Sequence, residues 1–123
     1  MIGGIIVGHK ELGGCLINAL RSIAGTFDYM ESLSNEGMST RELAERINET
    51  ASSMNADNVL VFVDIYGGSC WQAAKIATEG KGAIITGVNL PMMLSFIHKR
   101  NIVPFGELPS ALENDGKRGI RIT

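Results

Sequence analysis

Two short apolar runs, each ending abruptly in a polar residue beside glycine, constrain the fold of this chain more than any other feature. The first is Ile5-Ile-Val-Gly8-His9, and the second is Val59-Leu-Val-Phe-Val-Asp64-Ile-Tyr-Gly67-Gly68-Ser69. Runs of this length that are rich in β-branched residues are typical of strands buried on both faces of a parallel sheet. The glycines that follow can turn the chain into a helix. The sequence therefore predicts that His9 and Asp64 lie at the carboxyl ends of parallel strands, the edge at which open α/β sheets bind ligands.

The rest of the chain alternates predicted strands with predicted helices. Strands are predicted over 2–7, 29–33, 59–63, 83–88 and 119–122. A helix follows each of the first four strands, with the third helix over 69–78 and the fourth ending near residue 99, and a last short helix lies within 104–112. Ser39, with Glu42 three residues later, forms a capping box that begins the second helix. This alternation predicts an α/β fold, a doubly wound open sheet with right-handed crossovers and helices on both faces.

The first two predicted helices each carry an apolar stripe that marks the inner face. In the first helix, which ends at Gly25, the stripe comprises Leu12, Leu16, Ala19, Leu20 and Ile23. Cys15 is expected to pack on the inner face of the same helix as a small apolar residue. In the second helix the stripe comprises Leu43, Ile47, Ala51 and Met54.

Length and composition exclude several functional classes. A chain of 123 residues, 45% of them hydrophobic and 20% charged, has the size of one globular domain, which we place at 1–123. A net charge of −2 and an aromatic content of 6% provide neither the positive field nor the stacking surface needed to bind nucleic acid. The apolar run 2–8 is too short to span a membrane and lacks the flanks of a signal peptide. We therefore expect a cytoplasmic protein.

Motif spacing argues against metals and cofactors. Cys15 and Cys70 lack CxxC or CxxH spacing, so neither a metal site nor a disulfide framework is predicted. The Gly67-Gly68-Ser69 turn does not match GxxxxGK[ST], and the glycines of 3–8 straddle the first strand instead of following it. Neither ATP nor NAD is therefore predicted. The sequence predicts no cofactor and no metal.

His9 and Asp64 are the candidate catalytic pair. A histidine after a strand is more often structural than catalytic, but Gly8 before it and Gly13-Gly14 beyond it allow the backbone to approach a bulky anion. A carboxylate at the end of a buried strand needs a partner, which an imidazole N–H can provide. Such a pair fixes the tautomer, so the second ring nitrogen keeps a nucleophilic lone pair and the carboxylate stabilises positive charge on the ring. This arrangement favours phosphoryl transfer on histidine.

The residues around Gly67-Gly68-Ser69 have more than one interpretation. The turn is a tight connection with Ser69 as the helix N-cap, and its geometry also allows an anion site made by the first N–H groups of the third helix. Tyr66 and Trp71 flank the turn, and they either pack against the core or line a protein-docking surface. His98, late in the fourth helix, suits the negative end of the helix dipole, which predicts a structural role.

Together these residues give the chain a resemblance, over essentially its whole length, to the IIA component of the mannose family of the bacterial phosphoenolpyruvate-dependent sugar phosphotransferase system (PTS). The resemblance rests on Gly8-His9, on 63–69 followed by Ala73-Ala74, on Gly87-Val-Asn-Leu-Pro-Met92 and on Gly116-Lys-Arg-Gly-Ile120. The combination of Asp-x-x-Gly-Gly-Ser with Gly-Val-Asn-Leu-Pro-Met is specific, whereas either motif alone would be weak.

The resemblance implies a phosphotransferase in which His9 accepts a phosphoryl group from the histidine phosphocarrier protein and passes it to a IIB component. It implies that Asp64 is the hydrogen-bond partner of His9, and that Ser69 and its turn (Gly67, Gly68) lie by the phosphate. It also implies four parallel strands plus an antiparallel C-terminal edge strand. In the family that strand is exchanged across a homodimer, and here it would be 119–122. Membrane contact would be indirect, through a transporter complex.

The chain departs from the family pattern around the histidine and around the turn. Gly8 stands where the family usually has Thr or Ser, and Lys10 stands where it has Gly. Ile65 replaces a residue that often bears a hydroxyl, Cys70 replaces a common Pro, and Gln72 replaces a common Asn. Lys10 either attracts phosphate and partners or is a solvated charge.

These departures keep a second function open, in which the fold acts as a regulatory module that senses phosphorylation or binds an anion without sustained turnover. Since no Ala/Pro-rich tether follows the last predicted strand, we expect a free-standing subunit under either interpretation.

Overall fold

A computed structural model describes residues 1–80 and 83–123. Within these residues the chain forms four strands, β1 (Ile2–Gly8), β2 (Met30–Ser34), β3 (Asn58–Val63) and β4 (Ala83–Thr86). Five helices accompany them, α1 (Leu12–Ala24), α2 (Thr40–Ser53), α3 (Ser69–Thr78), α4 (Leu90–Lys99) and α5 (Leu108–Arg118). None of the helices among the described residues has the length and apolarity needed to cross a lipid bilayer.

The strands form a single parallel sheet in the order β2-β1-β3-β4, which confirms the predicted α/β fold with its four parallel strands. Val7 pairs with Val63, so β1 and β3 end side by side. The residues that follow β1, β2 and β3 therefore emerge at one edge of the sheet. Because that edge carries the carboxyl ends of the strands, it is the edge at which a doubly wound sheet presents side chains to a ligand.

Helices cover both faces of the sheet, and the alternation of side chains along the strands explains how. One face of the sheet, which includes Ile6 and Phe62, packs against α1, α4 and α5. The opposite face, which includes Val7 and Val63, packs against α2 and α3. Successive strand residues point to opposite faces, so a strand covered on both sides is apolar throughout. All seven residues of β1 are buried, as this requires.

The predicted helix starts are largely confirmed. The Ser39 hydroxyl accepts a hydrogen bond from the Glu42 N–H at 3.1 Å and caps α2. Asn89 caps α4 by accepting from the Met92 N–H at 2.9 Å, with Pro91 in the first turn. Gly25 follows α1 with a φ of 83°, a conformation that glycine adopts without strain.

The inner face predicted for α1 is only partly confirmed, since Leu20 is buried and Leu16 packs against the core. The buried positions are Gly13, Ile17 and Leu20, whereas Leu12 and Ile23 are exposed and Cys15 lies on the outside instead of the inner face. An added Cβ at Gly13 would lie 3.0 Å from the Ser32 Cβ. The glycine therefore allows α1 to approach β2 closely, and this contact turns the helix away from the face that apolar spacing favoured.

The predicted fifth strand over 119–122 does not form in this chain. The last helix, expected within 104–112, instead runs from Leu108 to Arg118. Its helical turn continues into the C-terminus, because the Gly119 N–H donates to the Gly116 carbonyl and the Ile120 N–H donates to the Lys117 carbonyl. These donors are thus used by the helix end. Strand β4 also ends at Thr86, earlier than predicted, because Gly87 adopts a φ of 75°.

Asp115 joins the two helices that support the end of the chain. Its carboxylate accepts hydrogen bonds from the Lys99 ammonium group at 2.6 Å on α4, from the Ser95 hydroxyl on the same helix, and from the Arg118 guanidinium on its own helix. The Lys99 and Ser95 hydrogen bonds are the main reasons why the pKa of Asp115 lies well below its ordinary value. Hydrogen bonds to a charged group are the stronger kind, so this carboxylate fixes α5 against α4.

We predict that Asp115→Asn lowers the free energy of unfolding at pH 7 by about 1.5–3 kcal/mol, the range for hydrogen bonds to charged groups. Because the folded-state pKa is depressed, the stabilisation is present above the ordinary value of 3.8 and is lost as the pH falls below it. Urea denaturation at pH 7 and pH 3 should therefore show a gap between wild type and variant that narrows at pH 3.

Glu113→Gln is the matched control for this experiment. Glu113 lies on the same helix and pairs with Lys117 at 2.9 Å, but both side chains are largely exposed. An exposed ion pair of this kind contributes roughly 0.3–0.5 kcal/mol. Equal effects of the two substitutions would contradict the role assigned to Asp115.

Candidate functional site

The carboxyl edge of the sheet brings together residues from three separate parts of the sequence. His9 directly follows β1, Asp64 directly follows β3, and the Gly67-Gly68 turn leads into α3. Asn35 directly follows β2, and its N–H donates to the Gly8 carbonyl at 3.1 Å. These residues form the candidate site.

His9 and Asp64 are in direct contact, as the sequence led us to expect. The His9 Nδ1 atom lies 2.7 Å from Asp64 Oδ2, and the backbone N–H of His9 donates to the same oxygen at 2.9 Å. The other oxygen, Oδ1, accepts from the Ile65 N–H at 2.9 Å. The aspartate side chain is 9% exposed and the histidine side chain is 50% exposed. The carboxylate thus holds the ring at Nδ1, while half of the His9 side chain remains exposed to solvent.

Asp64 remains ionised in this environment. Burial alone would raise its pKa, but the hydrogen bonds from the His9 ring and backbone and from the Ile65 N–H together hold the pKa below its ordinary value. An acceptor-only carboxylate requires a proton on the facing ring nitrogen. The neutral His9 ring therefore carries its proton on Nδ1, which leaves a lone pair on Nε2. No residue in the described ranges 1–80 and 83–123 forms a hydrogen bond with Nε2.

The turn before α3 lies against the histidine ring. Gly67 has a φ of 85°, which only glycine adopts readily, and Gly68 precedes the first helical residue. A Cβ added at Gly68 would lie 4.0 Å from the His9 Cε1 atom. The free N–H groups at the start of α3 therefore begin beside the ring, where the helix dipole favours an anion.

Ser69 is not the N-cap that the sequence predicted. The N-cap of α3 is Gly68, and Ser69 is the first helical residue, because the positive φ of Gly67 places the turn one residue earlier. The Ser69 hydroxyl accepts a hydrogen bond from the Asn35 side-chain amide at 3.3 Å. The hydroxyl is thus held by a neighbouring loop rather than by its own helix.

Asn35 and Cys70 are site residues that sequence reasoning missed. Asn35 could have been found by the rule that located His9 and Asp64, since it too directly follows a parallel strand. Cys70 gives no such signal. It is fully buried on α3, and its sulfur lies 4.0 Å from His9 Nδ1. Burial, with the negative charge of Asp64, raises the pKa of the Cys70 thiol to about 11, so the sulfur is protonated at neutral pH.

An exposed apolar rim borders the site. Ile65 is 58% exposed and Tyr66 is 72% exposed. The Tyr66 ring packs against the Trp71 ring at a centroid distance of 4.8 Å, and the Lys75 ammonium group lies 4.7 Å from the Trp71 ring centroid. Tyr66 therefore does not pack into the core. Lys10 is also exposed, with a φ of 51°, on the chain that leaves the histidine.

His98 lies apart from this constellation, on the exposed side of the last turn of α4. It is absent from the group of facing His, Asp and Cys side chains, which among the described residues comprises His9, Asp64 and Cys70.

A comparison with protein-family models identifies the family to which this fold and site belong. A family model described as the PTS system fructose IIA component (EIIA-man) matches residues 3–112. The chain belongs to this family. The match confirms the resemblance drawn from the Gly8-His9 and Asp64-to-Ser69 motifs. A search of curated protein sequences finds no match to this EIIA-man chain.

Solved structures place the EIIA-man chain among proteins of the same fold. A phosphotransferase system component EIIA from Streptococcus agalactiae superposes with a TM-score of 0.90 at 22% identity, covering 99% of this chain and 97% of the other. The mannose/sorbose specific IIA subunit from Enterococcus faecalis superposes with a TM-score of 0.78 at 18% identity, covering 98% and 93%. A PTS IIA protein associated with the fucose utilization operon of Streptococcus pneumoniae gives 0.78 at 18% identity, covering 92% and 89%.

We predict that the neutral His9 ring of this EIIA-man protein is the Nδ1–H tautomer. Its ¹⁵N chemical shifts at a pH where the ring is neutral should assign the proton to Nδ1, because only that tautomer donates to Asp64. Asp64→Asn should remove the preference, since the amide offers both a donor and an acceptor.

The exposed His98 ring is the internal control for this measurement. Its signals should be the same in wild type and in Asp64→Asn. A wild-type His9 ring protonated mainly on Nε2 would contradict the prediction.

Proposed function

We propose that this protein is a phosphocarrier of the sugar phosphotransferase system, which accepts a phosphoryl group on His9 Nε2 from the histidine phosphocarrier protein and passes it to a IIB component. Membership of the EIIA-man family supports the general role. The observation that carries the residue assignment is the 2.7 Å contact between His9 Nδ1 and Asp64 Oδ2. It leaves Nε2 as the ring nitrogen with a free lone pair.

The transfer exchanges one nitrogen–phosphorus bond for another. His9 Nε2 attacks the phosphorus of the donor phosphohistidine, the new bond forms as the old one breaks, and the donor imidazole departs with its electron pair. The His9 ring gains positive charge during this step, and the Asp64 carboxylate stabilises it. Because the two bonds are of the same kind, catalysis consists mainly of positioning and electrostatic stabilisation. The onward step to a IIB component is the same exchange with His9 as the donor.

The start of α3 is proposed to bind the phosphoryl oxygens. Backbone N–H groups of the turn formed by Gly67, Gly68 and Ser69 begin beside the ring, and Ser69 adds a hydroxyl positioned by Asn35. Backbone donors at a helix N-terminus suit phosphate without a basic side chain. Loss of the Ser69 hydroxyl should therefore matter less than loss of the Asp64 carboxylate.

The rim of Tyr66 and Trp71, with Ile65 between the site and the turn, is proposed as the docking surface for both partner proteins. Tyr66 is exposed, and it packs on Trp71, which is partly buried against the core. An exposed aromatic ring supported in this way beside a reactive group is typical of a protein-binding surface. Lys10 would meet acidic or phosphorylated groups on the partner. Because His9 would both accept and donate the phosphoryl group, donor and acceptor must reach the same ring nitrogen and would bind in turn.

We also infer that residues 1–123 act as one IIA domain in the cytoplasm and that two copies form a homodimer. Within the described ranges, β4 pairs only with β3, so its outer edge remains open. A groove of about 530 Å³ borders that edge, with Ile84 and Thr86 on one side and Ile120 beyond the end of α5. Ile120 and Ile122 are 78% and 101% exposed. An open edge and exposed apolar residues favour pairing with another chain.

The regulatory alternative has no observation of its own in this structure. Each residue that the carrier chemistry needs, His9, Asp64 and Ser69, lies at the sheet edge, and the departures at Lys10, Ile65, Cys70 and Gln72 leave the His9–Asp64 pair intact. We therefore propose the carrier alone.

We predict that His9 is the phosphorylated residue. With phosphoenolpyruvate, enzyme I and the histidine phosphocarrier protein, the wild type should gain one acid-labile phosphate per chain and lose it on addition of a IIB protein. His9→Ala should abolish labelling. Asp64→Asn should slow labelling by ~10²-fold or more, because the tautomer and the charge that stabilises the ring are lost.

His98→Ala is the matched control and should be labelled at the wild-type rate. Labelling that survives His9→Ala would refute the assignment. A stable phosphoprotein that transfers to no IIB protein would contradict the carrier role and leave the site assignment standing.

We predict a homodimer that depends on the C-terminal isoleucines. Ile120→Asp combined with Ile122→Asp should shift the protein from dimer to monomer in sedimentation velocity at micromolar concentration, because charges would enter an apolar contact. Ile102→Asp is the matched control, since Ile102 is 80% exposed at a different part of the surface. A wild-type monomer at that concentration would contradict the prediction.

A further inference from the structure

Three side chains at the candidate site carry the donor atoms of a transition-metal site. The His9 Nδ1, Asp64 carboxylate oxygen and Cys70 Sγ atoms all lie within 4.8 Å of one another. Nδ1 lies 2.7 Å from the Asp64 Oδ2 atom and 4.0 Å from the sulfur. The three residues come from the ends of β1 and β3 and from the first turn of α3, so motif spacing along the sequence could not reveal them.

A tetrahedral zinc site sets the separations that these three ligand atoms would need. Zinc binds nitrogen and oxygen at about 2.0–2.1 Å and sulfur at about 2.3 Å, which places the ligand atoms roughly 3.3–3.6 Å apart. The nitrogen–oxygen distance of 2.7 Å must widen and the nitrogen–sulfur distance of 4.0 Å must shorten. The oxygen–sulfur distance, which is at most 4.8 Å, must shorten as well. Rotation of the half-exposed His9 ring can change the first two distances, and rotation of the Cys70 side chain can change the third. A water would complete the four ligands, as in zinc sites that keep an open position.

The donor set selects a particular class of metal. Sulfur and imidazole ligands favour Zn²⁺ and Cu⁺ over Mg²⁺ and Ca²⁺, which prefer sites made of oxygen. Cys70 is decisive, because an imidazole and one carboxylate without the sulfur make a weak and unselective pair. The sulfur lies 4.0 Å from Nδ1, the ring nitrogen that faces Asp64.

Metal binding and phosphorylation would require opposite states of the same ring. A metal on Nδ1 replaces the proton that Nδ1 donates to Asp64. In a neutral ring that proton then resides on Nε2, so Nε2 has no lone pair with which to attack phosphorus. The Cys70 thiol releases its proton to solvent when the sulfur binds the ion, since a coordinating thiol is deprotonated. No oxidation or reduction is involved.

We propose that His9, Asp64 and Cys70 bind a thiophilic divalent ion such as Zn²⁺, and that the bound ion excludes phosphorylation of His9. The second half of this proposal rests on the proposed function, whereas the binding itself does not. The consequence is an EIIA-man protein whose phosphoryl transfer stops when free Zn²⁺ rises. The ion is an inhibitor of the site and not a participant in transfer.

Direct binding is tested with Co²⁺, which takes the place of Zn²⁺ and gives a sulfur-to-cobalt absorption band when a thiolate binds it. The metal-free wild-type protein should develop this band with one equivalent of Co²⁺, and Zn²⁺ should displace it. Cys70→Ser should abolish the band. His9→Ala, which alters a half-exposed side chain, should weaken Co²⁺ affinity by about 100-fold or more, because loss of a ligand should cost at least as much as loss of an outer-shell partner.

Cys15→Ser is the matched control, because Cys15 is the second cysteine of the chain and is exposed on α1. It should keep the full cobalt band. A wild-type protein without the band, a band that survives Cys70→Ser, or a band lost in Cys15→Ser would each overturn the proposed site. Circular dichroism of each variant identifies any loss of fold.

Inhibition is tested separately by phosphorylating a metal-free protein with and without Zn²⁺. Zn²⁺ at a concentration that saturates the site should reduce the labelling rate of the wild type by about tenfold or more, and EDTA should restore it. The ratio of rates with and without Zn²⁺ should be near one in Cys70→Ser. A wild type that binds cobalt through sulfur but is labelled equally fast with Zn²⁺ would refute the exclusion. Absence of labelling in the metal-free protein would instead refute the proposed function and leave the cobalt result standing.

Discussion

The buried carboxylate of Asp64 is the constraint on which the rest of the site depends. A carboxylate that is 9% exposed must have its oxygens satisfied, and here three N–H groups satisfy them. Two of the three belong to His9, so the end of β3 fixes both the backbone and the ring at the end of β1. The same hydrogen bond that stabilises the buried charge also sets the tautomer of the ring. The stability of the buried charge and the tautomer of the ring therefore have the same physical cause. A shift of β1 along β3 would remove both the hydrogen bonds to Asp64 and the preference for one tautomer.

The helices on the two faces of the sheet support different surfaces of the protein. The face covered by α2 and α3 supplies the turn at Gly67 and the thiol of Cys70, and therefore shapes the region around the histidine. The face covered by α1, α4 and α5 carries the Asp115 cluster and leads to the exposed C-terminal isoleucines beside β4. The proposed chemistry thus lies at the carboxyl edge of the sheet, and the proposed contact with a second copy lies along its β4 side.

Predictions from the sequence were correct where the local pattern and the tertiary fold favour the same secondary structure. The apolar runs before His9 and Asp64 predicted two buried parallel strands, and Ser39 with Glu42 predicted the start of α2, because strand burial and helix capping are read within a few residues. The predictions were wrong where packing between distant elements decides the orientation or the length of a helix. Gly13 turned α1 so that Cys15 points outward, and helix α5 continued to Arg118 and used the backbone donors that an edge strand would have needed. Neither effect is visible in a window of ten residues.

By itself the sequence determined the α/β alternation, the family and the placement of His9 and Asp64 at one edge, because the carboxyl ends of parallel strands lie at the same edge of a sheet. Only the tertiary structure decided which ring nitrogen faces the carboxylate, that Asn35 holds the Ser69 hydroxyl, and that Cys70 lies 4.0 Å from the ring. These are distances of a few ångströms between residues 34 to 61 positions apart. They follow from how closely helices and strands pack, which depends on the whole core and not on any one segment of the chain.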